Sequence, residues 1–82
     1  MIINNKFCIF VIMIQANILI DTQDGQEYRL FYFDVNRADG AYIIDSENMA
    51  VVINGADFIL KFDNKVFEEV INSIKLRQIL LN

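Results

Sequence analysis

Short blocks of alternating or continuous apolar residues fill most of this chain, and its last quarter repeats apolar residues at helical spacing. Ile14, Ala16, Ile18 and Ile20 face one way while Gln15, Asn17 and Asp21 face the other. This period of two predicts a half-buried strand over Ile14 to Asp21. Thr22 to Gln26 reads as a turn, because Asp24-Gly25 offers the left-handed backbone that glycine adopts without strain. Tyr28 to Val35 predicts a second strand, apolar on both sides. Tyr28, Leu30 and Tyr32 share one face, and Phe31, Phe33 and Val35 share the other. Such a strand is covered on both sides, or one side binds something. Arg37 to Gly40 suggests a type I turn closed by a left-handed Gly40. A third strand follows at Ala41 to Ile44, then a turn at Asp45 to Asn48. The fourth strand is Met49 to Ile53 and the fifth Ala56 to Phe62.

Asn54-Gly55 is the strongest hairpin signal in the chain. A two-residue loop there sets Ile53 opposite Ala56, Val51 opposite Phe58 and Met49 opposite Leu60, with all six on one apolar face. Val52 then meets Asp57 and Ala50 meets Ile59. A slip of one residue would drive Asp57 into the core, so the register is well specified. Asp63 or Asn64 caps a C-terminal helix. Glu68 and Glu69 near its start and Lys75 and Arg77 near its end suit the helix dipole. Phe67, Val70, Ile71 and Ile74 form its apolar stripe, while Leu76, Ile79 and Leu80 fall off it. The expected fold is therefore α+β, one domain over residues 1–82. It is an antiparallel β-meander of five to six strands with one C-terminal α-helix packed across it, consecutive strands pairing through short turns. The expected core is Ile18, Ile20, Leu30, Val51, Ile53, Phe58, Leu60, Phe67, Val70, Ile71 and Ile74.

Phe7 to Ile14 is an unbroken apolar run. It is too short to span a bilayer, which takes about 20 apolar residues. Only Lys6 supplies the positive start of a signal peptide, and no boundary separates the run from the alternation that follows. The expectation is that it belongs to the fold, with Met1 and Met13 both open as the start.

Composition narrows the chemistry. The chain has 82 residues, 55% of them hydrophobic, which excludes disorder and any two-lobed architecture. It holds one cysteine and no histidine. A disulfide framework, a cysteine/histidine zinc site and histidine-based catalysis are thereby excluded within one chain. The net charge of −4 is concentrated between residues 21 and 63, where nine acids oppose Arg29, Arg37 and Lys61. There is no basic stripe to neutralise phosphates, so direct nucleic-acid binding and anionic membranes are disfavoured. A basic protein surface is the natural partner.

The chemical candidates are few. Cys8 sits in the apolar run, where burial would make a thiol inert. Ser46 lies between Asp45 and Glu47 in a turn that turn chemistry alone would select. The pair Asp45 and Glu47 is the best enzymatic idea, but glycoside hydrolysis needs a sugar-sized groove between two carboxylates, for which so small a meander has little room. No acidic spacing matches a calcium loop. No glycine-rich loop precedes a helix to cradle phosphate. No catalytic residue, metal ligand or cofactor is expected.

The aromatic cluster carries more. Phe31 and Phe33 belong to a core, whereas tyrosine hydroxyls seek water or a partner. Tyr28, Tyr32 and Tyr42, rimmed by Asp34, Asp45 and Glu47, have the make-up of a protein-interface hot spot. The leading expectation is a non-enzymatic, acidic protein-binding module. Fourteen isoleucines and nine asparagines mark an AT-rich coding bias. With the small size and acidity, that bias suits a phage-encoded, anti-CRISPR-like inhibitor of a host nucleic-acid-binding protein, acting in the host cytoplasm. The alternative is a small structural or assembly subunit that self-associates as a homo-oligomer, since the apolar surplus exceeds what one small core buries.

Overall fold

The computed structural model describes residues 13–81. The expectations for Phe7 to Ile12, for Cys8 and for the choice of start lie outside them. Five antiparallel strands form one sheet: β1 (Met13–Thr22), β2 (Gly25–Asp34), β3 (Ala38–Ile43), β4 (Asn48–Ile53) and β5 (Ala56–Lys61). One helix, α1 (Asn64–Leu81), follows and packs on the sheet, giving the expected α+β fold.

The strand order is β2-β1-β5-β4-β3. β3, β4 and β5 form a meander and β1 and β2 a hairpin. Consecutive β2 and β3 do not pair, against expectation, because β1 inserts beside β5. A single turn of 3-10 helix, Val35–Arg37, joins them. That turn limits the shape of the sheet. Asp34 and Ala38 can be no more than about 15 Å apart. Yet Asp34 pairs with Met13, beyond one end of β5, and Ala38 pairs with Ile53, which sits at the other end opposite Ala56. In a flat sheet those ends would lie roughly 30 Å apart along the strands. The β1–β2 ribbon must therefore bend over the core side. It leaves β5 near Asn17, where a cavity of ≈ 300 Å³ opens between Gln15–Asn17 and Lys61–Asp63. Its far end, with Met13 and Tyr32–Asp34, comes to share a cavity with Ile53. Phe31 consequently meets Phe58 edge to face, ring centroids 5.6 Å apart.

The β4–β5 register is as predicted at every pair from Met49↔Leu60 to Ile53↔Ala56. Asn54 and Gly55 have φ of 53° and 80°, as this tight hairpin turn requires. Gly25 is also left-handed, at 114°. Gly40 is not. β3 begins at Ala38, earlier than the pattern suggested, and Gly40 lies in the strand beside a register shift.

The core joins Ile14, Ala16, Phe33, Val35 and Ala38 to Met49, Val51, Leu60, Val66 and Val70, with Ile18, Phe31, Ile53, Phe67 and Ile74 packed against it. Of the expected core, Val51, Leu60 and Val70 are fully buried, whereas Ile20, Phe58 and Ile71 are half-buried. Leu30 is a correction. It is 57% exposed, because pairing with Asn17 puts it on the helix-free side with Tyr28 and Tyr32.

Asp63 settles the helix cap. Its Oδ1 accepts the N–H groups of Lys65 at 2.9 Å and Val66 at 3.4 Å. The helix then runs unbroken, with Leu76 and Ile79 exposed. The expected dipole pairing is not seen, since neither the first turn holds an acid nor the last a base. Arg77 serves instead as a clamp. It donates to the carbonyls of Asn36 at 2.8 Å and Ala38 at 2.5 Å, fastening α1 to the 3-10 turn.

Candidate functional site

Odd-numbered β1 residues and even-numbered β2 residues face away from the helix. On β3, β4 and β5 the corresponding positions are Tyr42, Asn48, Ala50, Val52, Asp57, Ile59 and Lys61. Tyr42 pairs with Ala50, Ala50 with Ile59, and Leu19 with Tyr28. One step from Ile18↔Leu60 brings Ile59 beside Leu19. An apolar row thus crosses all five strands with a tyrosine at each end. Ala50 is fully buried on this side, since its larger neighbours Tyr42 and Ile59 overshadow it.

Each tyrosine is held by its hydroxyl. Tyr28 donates to Asn48 Oδ1 at 2.6 Å. β1 and β5 separate these residues in the sheet, so the Tyr28 side chain lies flat across both strands. Lys61 Nζ stands 5.8 Å from its ring centroid, within cation–π range. Tyr42 donates to Asp57 Oδ2 at 2.7 Å. That bond to a carboxylate raises the Tyr42 phenol above its ordinary pKa, with partial desolvation and the Asp57 charge adding to it. Tyr32 donates to Gln15 Oε1 at 3.3 Å. It occupies the same side of the ladder but lies past the bend, against the cavity it shares with Asp34, Arg37 and Ile53.

The structure therefore brings Tyr28 and Tyr42 onto one surface and sets Tyr32 and Asp34 at its far end. The three acids differ in role. Asp34 Oδ1 accepts the Asn36 N–H and caps the 3-10 turn. Asp45 Oδ1 accepts the Glu47 and Asn48 N–H groups, both at 2.8 Å, and closes the β3–β4 turn. Glu47 is exposed in that turn. Asp57, which the local pattern marks only as a register constraint, accepts the Tyr42 hydroxyl. Its place opposite Val52 on the polar side of the hairpin was the signal available.

Among the described residues, no three acidic or cysteine side chains cluster closely enough to hold a metal ion, and no helix is long and apolar enough to cross a membrane. Compared with family models, curated proteins and solved structures, the chain finds no match.

Proposed function

We propose that this chain is a non-enzymatic protein-binding module that captures a basic protein surface with the helix-free side of its sheet. One observation carries the reading. Tyr28, Leu30, Tyr32 and Tyr42, at 39%, 57%, 54% and 46% exposure, all lie on that side. Tyrosines held by hydrogen bonds are rigid, amphipathic contact groups that lose little entropy on binding. Asp57 beside Tyr42, with Asp45 and Glu47 in the adjoining turn, supplies the negative field that steers a cationic partner. The narrower form of the proposal is a phage-encoded inhibitor, anti-CRISPR-like, of a host nucleic-acid-binding protein in the host cytoplasm. It is supported by acidity, small size and coding bias.

The test compares the wild-type chain with Tyr28→Ser/Tyr42→Ser and with Glu47→Lys, which leaves the Tyr42–Asp57 bond in place, each immobilised and exposed to a bacterial lysate at low and high salt. The wild type should retain basic proteins. The charge variant should slow their capture, whereas the tyrosine variant should speed their release, because steering acts on association and desolvated anchors act on the bound state. Retention of the same proteins with the same kinetics by all three chains would overturn the reading.

A further inference from the structure

We propose that two copies of this chain join through β2, edge to edge and antiparallel, about a two-fold axis at Tyr28. The contact uses the edge of the sheet that the described residues leave open, not the tyrosine face.

The backbone comes first. Thr22 and Gly25 flank a two-residue loop and form a hydrogen-bonded pair, and such pairs alternate along the ladder. Glu27, Arg29, Phe31 and Phe33 accordingly turn their N–H and C=O groups toward β1. Gln26, Tyr28, Leu30, Tyr32 and Asp34 turn theirs away. The second hairpin agrees, because its alternation makes Ile18↔Leu60 a non-hydrogen-bonded pair between β1 and β5. Among the described residues no strand, and no backbone group of another element, pairs with that outer edge of β2.

Exposed edges are ordinarily guarded by proline, lysine, bulges or a covering element. The other edge, β3, has a register shift at Ala38/Gly40 and the helix packed against it. Among the described residues nothing covers β2, its ten residues pair with β1 without interruption and contain no proline and no lysine, and its two inner charges, Glu27 and Arg29, neutralise each other. The side chain of Tyr28 leans inward over β1 and β5 to reach Asn48, which leaves the edge at its own backbone clear.

Charge then selects the occupant and the register. A two-fold axis perpendicular to the sheet keeps each face on its own side, so it must pair residues of equal parity. With the axis at Tyr28, Gln26 meets the partner's Leu30 and Tyr28 meets the partner's Tyr28. Every outward N–H and C=O of the three pairs finds a mate. The same register sets Glu27 of each copy opposite Arg29 of the other. These side chains are 43% and 60% exposed and bond to each other within one chain. In the pair each carboxylate stands between two guanidiniums. Moving the axis to Arg29 or to Glu27 places like charges directly opposite. Moving it to Leu30 sets Arg29 and Glu27 against phenylalanines.

The experiment uses the full chain in sedimentation equilibrium over a wide concentration range. The wild type should show a monomer–dimer equilibrium. Glu27→Lys and Arg29→Glu should each weaken the homodimer by at least about tenfold. An equimolar mixture of the two should form a heterodimer, because each 27↔29 pairing is then of opposite charge. That gain of association cannot arise from a misfolded variant. In a Cys8→Ser background, Tyr28→Cys should cross-link on mild oxidation, since hydrogen-bonded partners lie about 5.5 Å apart. Leu30→Cys should not, its two copies lying about 14 Å apart. A chain that is monomeric throughout, a dimer indifferent to both charge reversals, a mixture without heterodimer, or cross-linking at residue 30 in place of 28 would each overturn the proposal.

Discussion

Leu60 and Leu30 are the same residue type on strands of the same sheet, and truncating each to alanine tests which side of that sheet is the core. Leu60 is fully buried. It pairs with Met49 on β4 and Ile18 on β1, so it sits where the bent ribbon meets the meander. Backbone ladders on both sides prevent the strands from collapsing into the space that a smaller side chain would leave. Leu60→Ala should therefore lose the transfer energy of the removed methyl groups and leave much of a cavity, about 3–4 kcal/mol together. A chain of this length has roughly 4–12 kcal/mol of total stability. The variant should melt roughly 15–25 °C lower or be largely unfolded at physiological temperature. Leu30 is 57% exposed on the helix-free side. Leu30→Ala should change stability by about 0.5 kcal/mol or less. Urea unfolding followed by circular dichroism measures both, and equal slopes would confirm that the denatured states match. If Leu30→Ala proved as damaging as Leu60→Ala, the assignment of faces would be wrong, and with it the helix-free side that the functional proposal uses.

Arg77→Met should destabilise by about 1–3 kcal/mol in the same assay, since it removes the two bonds that fasten the helix to the Asn36 and Ala38 carbonyls. Arg77→Lys should recover only part of that, because a single ammonium cannot span the fork. Asp63→Ala should lose about 1 kcal/mol by removing the cap, while Asp63→Asn, still an acceptor, should lose less. The Tyr42 phenol should titrate above the ordinary value of about 10. A raised folded-state value means that its stabilising contribution is complete below that ordinary value and is lost as pH rises through the raised one. Asp57→Asn should move the Tyr42 titration, followed by its ring resonances, back toward the ordinary value, and an unmoved curve would refute the Asp57 bond as its cause.

Much of this protein was legible in local chemistry. The Asn54-Gly55 turn dictates the register of β4 and β5, because only one pairing keeps Asp57 out of the core. The alternation of β2 already divided Tyr28, Leu30 and Tyr32 from Phe31 and Phe33. Asp63 and the apolar spacing after it announced the helix. What alternation alone leaves open is which of two apolar faces is buried, and β2 is apolar on both. The answer came from partners distant in sequence: Phe33 opposite Ile14 and Phe31 opposite Ala16, under the same cover as Val51 and Val70. No proline or glycine in β1 marks the bend that folds the ribbon over the core. It arises because the Val35–Arg37 link is too short to reach β3 across a flat sheet, and because bending buries Ile14 and Ala16. Likewise β1 beside β5, and the clamp of Arg77 on two carbonyls about forty residues earlier, depend on long-range closure. Local pattern determines elements and their faces; only the competition among faces for one small core decides how they are arranged.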